Sequence, residues 1–302
     1  MKKLFLILCA TLIFTIPVYA DEFLENRVAN LEAQLAALLA ALDAMPPTDH
    51  GAIHLQRQEA VHLERFMFRM KYYNVCLNIA QNQLLTHRRE LTERQLELEE
   101  VRLELGLTTQ NNIDDLAALL DGLTQQIELN NETIQINKQH IETRRGQQGY
   151  EFIRNFQIPS PTSANARTLD ELRTNLIRNN VALATLESHI RQAFQSGMSW
   201  HEIQLLEEQR ALLTRQLEMA AINSRTTYLA AKTGHNLARD TRPLLDSRLE
   251  LVDEMFYLGE LSEVEKKELR FNIYTELHIA EQVAIALAMS IAELNFMMLG
   301  IS

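Results

Sequence analysis

Glycine and proline are scarce in this sequence. It has nine glycines and six prolines among 302 residues, and aromatic residues make up only 6%. A protein rich in strands, or one that alternates strands with helices, needs more turn residues than this. Leu, Ala, Glu, Gln and Arg, which are good helix formers, dominate instead. The composition therefore predicts an all-α protein.

Cysteine is nearly absent, and one of the two cysteines lies in a segment that we expect to be removed. Two lysines are followed by an apolar stretch, Leu4–Pro17, and by small residues up to Ala20. This pattern is typical of a secretory signal peptide, and the stretch is shorter than the ~20 residues of a membrane-spanning helix. Residues 1–20 are thus predicted to be cleaved. Cys76 then remains alone, which excludes an intrachain disulfide.

Basic charge is also in deficit, with 29 Lys and Arg against 40 Asp and Glu and a net charge of −11. Nucleic-acid binding is disfavoured, because it needs a basic surface. Phosphate-binding loops, paired-carboxylate motifs and nucleophile elbows are missing as well. We therefore expect no enzyme, no catalytic residue and no cofactor. The three histidines His50, His54 and His62 are interpreted as surface residues rather than metal ligands.

Apolar residues recur with a period close to 3.5, which predicts long helices that pack along straight seams. Two ladders have seven-residue spacing: Leu63, Met70, Leu77, Leu84, Leu91, Leu98, Leu105; and Ala230, Leu237, Leu244, Leu251, Leu258. Further seams run through residues 24–42, 113–141, 169–190 and 273–298. The positions three residues after the first ladder begin apolar and become polar, so its seam should be broad and buried near the start and narrower further along. The apolar stretch Val283–Ala292 is interpreted as a buried seam.

The two ladders end at matched glycines, Gly106 and Gly259. The following helices close at Gly146 and Gly300, which lie 40 and 41 residues further on. We interpret this as two tandem three-helix repeats, residues 21–149 and 168–302, joined by a linker at 150–167. The expected fold is an elongated antiparallel coiled-coil bundle.

The residues around these turns resemble the outer-membrane efflux (TolC) family. In that family a long helix runs through the periplasm to a Gly-Leu-x-[Ser/Thr] turn, after which a helix with an Asp-rich start returns. The matching stretches are Arg102–Gln110 with Ile113–Leu116, Tyr257–Ser262 with Leu299-Gly300, and Leu169–Leu183. The resemblance covers most of residues 55–146 and 168–300.

The resemblance implies TolC-like periplasmic duct helices whose turns face a periplasmic partner. The candidate partner-facing residues are Gly106, Leu107, Thr108, Asp114, Asp115, Gly259, Glu260 and Ser262. The acids Asp114, Asp115, Glu260 and Glu263 also have a simpler interpretation, as favourable charges at helix N-termini.

One part of the family pattern is absent from the sequence. Family members carry a membrane β-hairpin between the first and second helix of each repeat. The corresponding segments here are Met45–Gly51 and Phe194–Met198, whereas a single membrane strand takes about 9–11 residues. The resemblance therefore predicts duct helices without the barrel hairpins.

Two functions are compatible with these features. The first is a TolC-like, non-enzymatic periplasmic component of an envelope export or efflux assembly. It would be a homo-oligomer (a trimer, by the resemblance) that meets a periplasmic adaptor or other envelope protein at the periplasmic side of the outer membrane. The second is a coiled-coil adaptor or pilus-associated protein of a conjugation or type IV secretion system. An adaptor has no need of two equal halves, so the repeat favours the first.

Export generates the first testable prediction. The protein recovered from the cell envelope should begin at Asp21, because the signal peptide ends at Ala20. N-terminal sequencing of the exported protein measures this. A protein that retains residues 1–20 after export would contradict it.

Overall fold

The computed structural model describes residues 29–40, 50–145 and 167–301. Within these ranges all regular structure is helical, with no strand, and helices account for more than nine-tenths of the residues. The all-α prediction is therefore confirmed. The seven helices are α1 (29–40), α2 (His50–Glu104), α3 (Gln110–Arg145), α4 (Leu169–Asn179), α5 (Val181–Ser196), α6 (Trp200–Tyr257) and α7 (Glu263–Met297).

The chain divides into two compact units, each of which takes segments from both halves of the sequence. Unit 1 includes Tyr72–Phe156 and Gly234–Ile285, and unit 2 includes Asp21–Lys71, Gln157–Thr233 and Ala286–Ser302. These units are not the two predicted repeats, since each combines parts of both. The repeats remain a prediction about the sequence.

The core of unit 2 is formed by α4, α5, α6 and α7. Its buried residues are Leu172, Leu176, Leu183, Leu217, Ala221, Tyr228, Leu287, Ile291, Leu294 and Met297. Phe66 of α2 and Phe296 of α7 add a ring contact in the same unit, with centroids 4.6 Å apart. By length and composition α7 could cross a membrane. Burial of Leu287, Ile291 and Leu294 in this core agrees with the sequence-based interpretation of its apolar stretch as a seam.

In unit 1, the hairpin of α6 and α7 contains a smaller core than that of unit 2. Leu245, Val252 and Ile273 are buried there, and Leu249, Leu261 and Leu277 pack around them. Between α2 and α3, the side chain of Asn82 donates a 2.8 Å hydrogen bond to Asn131. The predicted seam of α3 lies on the inner face, with Leu123, Ile134 and Ile141 buried.

The two leucine ladders differ in burial. The first is buried at Leu63, Met70, Leu77 and Leu91 and becomes exposed at its last two leucines, Leu98 and Leu105. The leucines of the second ladder, from Leu237 to Leu258, are between 53% and 65% exposed. Leu245 and Val252 are buried instead, each one position after a ladder leucine. One residue turns a helix by about 100°, so the ladder lies on a different face from the one that packs against its own chain.

The segment predicted as one helix over residues 169–190 is broken at Asn180. This residue is extended (φ −72°, ψ 119°), and its side-chain oxygen accepts a 2.9 Å hydrogen bond from the Leu183 amide. Its side-chain nitrogen donates to the Gly300 carbonyl at 2.9 Å. The break is therefore stabilised by a cap on α5 and by a tie to the end of α7.

The connection between α5 and α6 is short. Helix α5 ends at Ser196, Gly197 adopts a left-handed conformation (φ 71°), and α6 begins at Trp200. The second of the two expected hairpin positions is thus a tight helix–helix turn. Most of the first position, residues 45–49, lies outside the described residues.

A substitution at Gly300 tests how closely the end of α7 approaches Asn179, the last residue of α4. An added Cβ would lie 2.2 Å from the Asn179 carbonyl oxygen, and the backbone has φ +90°. Gly300→Ala should therefore lower the free energy of unfolding by about 3 kcal/mol or more, since a left-handed alanine costs about 1–2 kcal/mol before any clash is counted. Urea unfolding followed by circular dichroism measures the loss.

Gly106→Ala is the matched control, because Gly106 has a similar φ of +70° but no atom within 4 Å of the added Cβ. The free energy of unfolding of this variant should fall only by the cost of a left-handed alanine, about 1–2 kcal/mol. Equal losses in the two variants would contradict the close approach at Gly300.

Candidate partner-facing turns

The turn after α2 is closed by backbone hydrogen bonds around a left-handed glycine. Gly106 has φ +70°, and its amide donates to the Leu103 carbonyl at 2.9 Å. The Leu107 amide donates to the Arg102 carbonyl at 2.8 Å. These two bonds form a Schellman motif, which satisfies carbonyls at the end of the helix and reverses the chain.

The turn after α6 has the same construction. Gly259 has φ +76°, its amide donates to the Phe256 carbonyl at 3.0 Å, and the Glu260 amide donates to the Met255 carbonyl at 3.0 Å. Both predicted glycine turns therefore end a helix, and the two turns have the same hydrogen-bond pattern.

Ser262 begins α7 with a capping box. Its hydroxyl donates to the Glu265 carboxylate at 2.7 Å and accepts from the Glu265 amide at 3.3 Å, while its own amide donates to the same carboxylate at 2.8 Å. The Ser262 amide and hydroxyl together hold the pKa of Glu265 below its usual value. Glu263 and Glu265 both lie in the first turn of α7, where negative charge is favourable.

The start of α3 is built differently. The Thr108 hydroxyl accepts from the Asn112 side chain at 3.0 Å and hydrogen-bonds the Glu99 side chain, which lowers the pKa of Glu99 with help from Arg102. The first turn of α3 contains no acid. Asp114 and Asp115 lie beyond it, where the helix dipole is weak, so their interpretation as N-terminal charges is wrong. Asp114 instead accepts from the Gln110 side chain at 3.0 Å.

Both turns belong to unit 1, and a charged bridge lies between the helices that carry them. The guanidinium of Arg94, near the end of α2, contacts Glu97 on its own helix and Glu263 at the start of α7. This contact joins the start of α7, directly after the second turn, to α2.

A second group of charges stabilises the hairpin of α6 and α7. Asp253 accepts from Lys266 at 3.0 Å and from Arg270 at 3.5 Å, and these two cations, Lys266 first, lower the pKa of Asp253. Arg270 also donates to the Tyr274 hydroxyl at 2.9 Å, and the Tyr274 ring stacks on His87 of α2 with centroids 4.1 Å apart. This cluster ties α2 to the hairpin about three turns above Glu263.

Large apolar side chains are exposed at both turns: Leu105, Leu107, Tyr257 and Leu258. Within the described ranges no three His, Cys, Asp or Glu side chains form a group that could hold a metal ion. Cys76 is buried, and burial raises the pKa of its thiol to about 11, as expected for a core cysteine.

Sequence comparison assigns no relative, since no protein-family model and no curated protein matches the chain. Solved structures do match. The crystal structures of CusC, which describe conformational changes accompanying folding and transmembrane channel formation, align over 96% of this chain and 96% of the CusC chain. The TM-score is 0.54 and the sequence identity is 11%. The chain has the helical fold of the TolC-type duct channels.

A second match is the crystal structure of the Campylobacter jejuni CmeC outer membrane channel. It covers 93% of this chain and 82% of that one at 11% identity, with a TM-score of 0.42 that is too low for a fold assignment. The resemblance predicted from the sequence motifs is confirmed at the level of the fold.

Sequence reasoning missed the charged cluster around Asp253, although a signal for part of it was present. Asp253 lies six residues before Gly259 and Lys266 lies seven after it. Opposite charges at nearly equal distances from a helix–helix turn are placed face to face by the antiparallel arrangement. The contacts from Arg94 and His87 of α2 had no such signal, because they join parts of the chain more than 160 residues apart.

The capping box of α7 provides a test of how firmly this turn is held. Ser262→Ala should lower the free energy of unfolding by about 1 kcal/mol at neutral pH. Glu265→Gln should remove stability that is present above the carboxyl's unfolded-state pKa and is lost as pH falls through its lowered folded-state pKa. The difference between Glu265→Gln and the wild-type protein should therefore be largest at neutral pH and disappear in strong acid.

Urea unfolding at several pH values measures both effects. Thr226→Ala is a control for Ser262→Ala, since its exposed hydroxyl only donates back to the Ile222 carbonyl within α6. A loss for Thr226→Ala equal to that for Ser262→Ala, or a Glu265→Gln difference that does not change with pH, would contradict the capping box.

Proposed function

We propose that this chain is a TolC-like, non-enzymatic helical component of an envelope export or efflux assembly. It works at the periplasmic side of the outer membrane as a homo-oligomer, with its two glycine turns facing a periplasmic partner. The fold of CusC, aligned over almost the full length of both chains, supports this proposal. The observation that carries it is the exposed leucine ladder of α6.

The ladder has the form of a coiled-coil seam without a partner in its own chain. Leu237, Leu244, Leu251 and Leu258 repeat every seven residues on one continuous helix and are all more than half exposed. Leucine at this spacing packs into a facing helix, and isolated side chains on a soluble surface rarely repeat so regularly. The facing helix therefore belongs to another copy of the chain.

The same helix carries a second exposed stripe in unit 2. Leu205, Leu212 and Met219 again lie seven residues apart and are about half exposed. Each of the two units thus offers an apolar stripe of its own. Two such stripes increase the area that an oligomer buries, which favours an obligate assembly over a transient contact.

The two turns supply the proposed partner surface. Leu107 and Leu258 are exposed beside the left-handed glycines Gly106 and Gly259, and Glu260 adds an exposed carboxylate. A partner must therefore offer apolar sockets and positive charge. An adaptor or pilus-associated role is the alternative. It would not require the exposed ladder of α6 to be filled by a copy of the same chain.

The test is the oligomeric state of the exported protein. The double variant Leu244→Glu, Leu251→Glu should shift an oligomer to monomer, weakening association at least about tenfold, because two apolar contacts are replaced by buried charges. Light scattering after size-exclusion chromatography measures the mass, and far-ultraviolet circular dichroism checks that the helices persist.

Asn272→Glu is the control, since it adds a negative charge at an exposed polar position of α7 away from the ladder. It should leave the oligomer intact. An unchanged oligomer in the double variant, or a wild-type protein that is monomeric at all concentrations, would contradict the proposal and favour the adaptor role.

A further inference from the structure

A cavity of about 330 Å³ opens in unit 1 between α2 and the hairpin of α6 and α7. This volume lies at the lower end of the roughly 300–1,000 Å³ that small-molecule sites occupy. Residues of all three helices line the cavity, and all of them belong to one chain and to unit 1. The cavity therefore does not depend on the proposed oligomer.

Aromatic rings form the apolar part of the cavity walls. Phe256, Phe271, Tyr274 and His87 all line it. The His87 and Tyr274 rings are stacked, with centroids 4.1 Å apart and planes 8° apart, and Arg270 donates to the Tyr274 hydroxyl at 2.9 Å. The Tyr274 ring is thus fixed before a ligand arrives, which lowers the entropic cost of binding. A flat aromatic ligand gains ring contacts against such walls.

Three cations of α7 line the same cavity: Lys266, Lys267 and Arg270. Two of them lie over the aromatic walls. The Lys266 ammonium is 4.3 Å from the centre of the Phe256 ring, and the Arg270 guanidinium is 5.7 Å from the centre of the Tyr274 ring. Positive charge and aromatic surface are therefore side by side in one cavity.

Two carboxylates also line the cavity, and both face cationic or basic groups of the protein. Glu263 contacts the guanidinium of Arg94. Glu90 lies 3.8 Å from Nδ1 of His87 and interacts electrostatically with Arg270. The protein itself therefore compensates the negative charge of these two side chains.

Lys267 is a cation without such compensation. Lys266 and Arg270 share the carboxylate of Asp253, at 3.0 Å and 3.5 Å. In the part of the chain that the structure describes, no carboxylate lies within ion-pair distance of Lys267. Its ammonium is therefore available to an anion that enters the cavity.

The free cation and two of the rings share one face of α7. Lys267, Phe271 and Tyr274 are separated by four and three residues, which places them one above the other on the helix. A ligand that reaches the Lys267 ammonium therefore lies along the two rings.

We propose that this cavity binds an aromatic carboxylate, a small anion that joins a flat ring to one carboxyl group. The carboxylate pairs with Lys267, and the ring contacts Phe271 and Tyr274. An inorganic anion would leave the aromatic walls unfilled, and a neutral aromatic compound would leave the ammonium unpaired. The chain thus carries a small-molecule site in addition to its assembly surfaces.

Three probes separate the two parts of the expected ligand. 2-Naphthoate is titrated into the exported, purified protein at neutral pH by isothermal titration calorimetry, and its dissociation constant should be about 1 mM or lower. 2-Naphthylmethanol carries the same ring without the charge, and acetate carries the charge without the ring. Each should bind at least about tenfold more weakly than 2-naphthoate.

A substitution at Lys267 locates the binding site. Lys267→Gln should weaken 2-naphthoate binding about tenfold, because one charge-assisted hydrogen bond is lost, whereas Lys267→Arg should retain the binding. Lys232→Gln is the matched control, since it removes the same charge from an exposed lysine of α6 that does not line the cavity. It should leave binding unchanged, and circular dichroism checks that the helices persist in each variant.

Three outcomes would overturn the inference. The first is a protein that does not bind 2-naphthoate at about ten times the expected dissociation constant. The second is equally tight binding of 2-naphthylmethanol or of acetate, because the cavity would then take any apolar compound or any anion. The third is an equal effect of Lys267→Gln and Lys232→Gln. Since one chain supplies every wall, a protein that is monomeric by light scattering and still binds 2-naphthoate would contradict the proposed oligomer alone.

Discussion

Most of the stability of a long α-helix in a protein comes from other helices that pack along its apolar faces. Helices α2 and α6, with 55 and 58 residues, impose this constraint on the molecule. In unit 1, α6 satisfies part of it by packing Leu245 and Val252 against its own chain. Its ladder leucines, one position earlier, remain exposed. The helix is therefore apolar on two faces, and the exposed face is the one on which the proposed oligomer depends.

The lengths and limits of the helices could be predicted because they depend on local chemistry. The first ladder ends at Leu105, directly before Gly106, and the structure ends α2 at Glu104. The period could not tell which of two neighbouring apolar positions faces inward. Leu244 and Leu245 both fit a seam, and only the arrangement of the other helices decides that Leu245 is buried.

The features that sequence reasoning could not find depend on residues distant in the chain. In the sequence, Asn180 looks like an ordinary helical residue. In the structure its side chain donates a hydrogen bond to the Gly300 carbonyl, which is 120 residues away in the chain. The stack of His87 on Tyr274 and the bridge from Arg94 to Glu263 are of the same kind. Capping residues such as Ser262 lie between these cases, because the serine and Glu265 are three residues apart and form a recognisable capping box.

The exposed apolar surface of α6 is regularly spaced, and the spacing bears on what can cover it. Leucines at a fixed interval carry positional information, since each side chain must meet a hole in a facing helix. Leu237, Leu244, Leu251 and Leu258 keep a seven-residue interval, and so do Leu205, Leu212 and Met219. A partner without a repeat of its own would make no use of this spacing, so the interval favours a helix as the surface that covers α6.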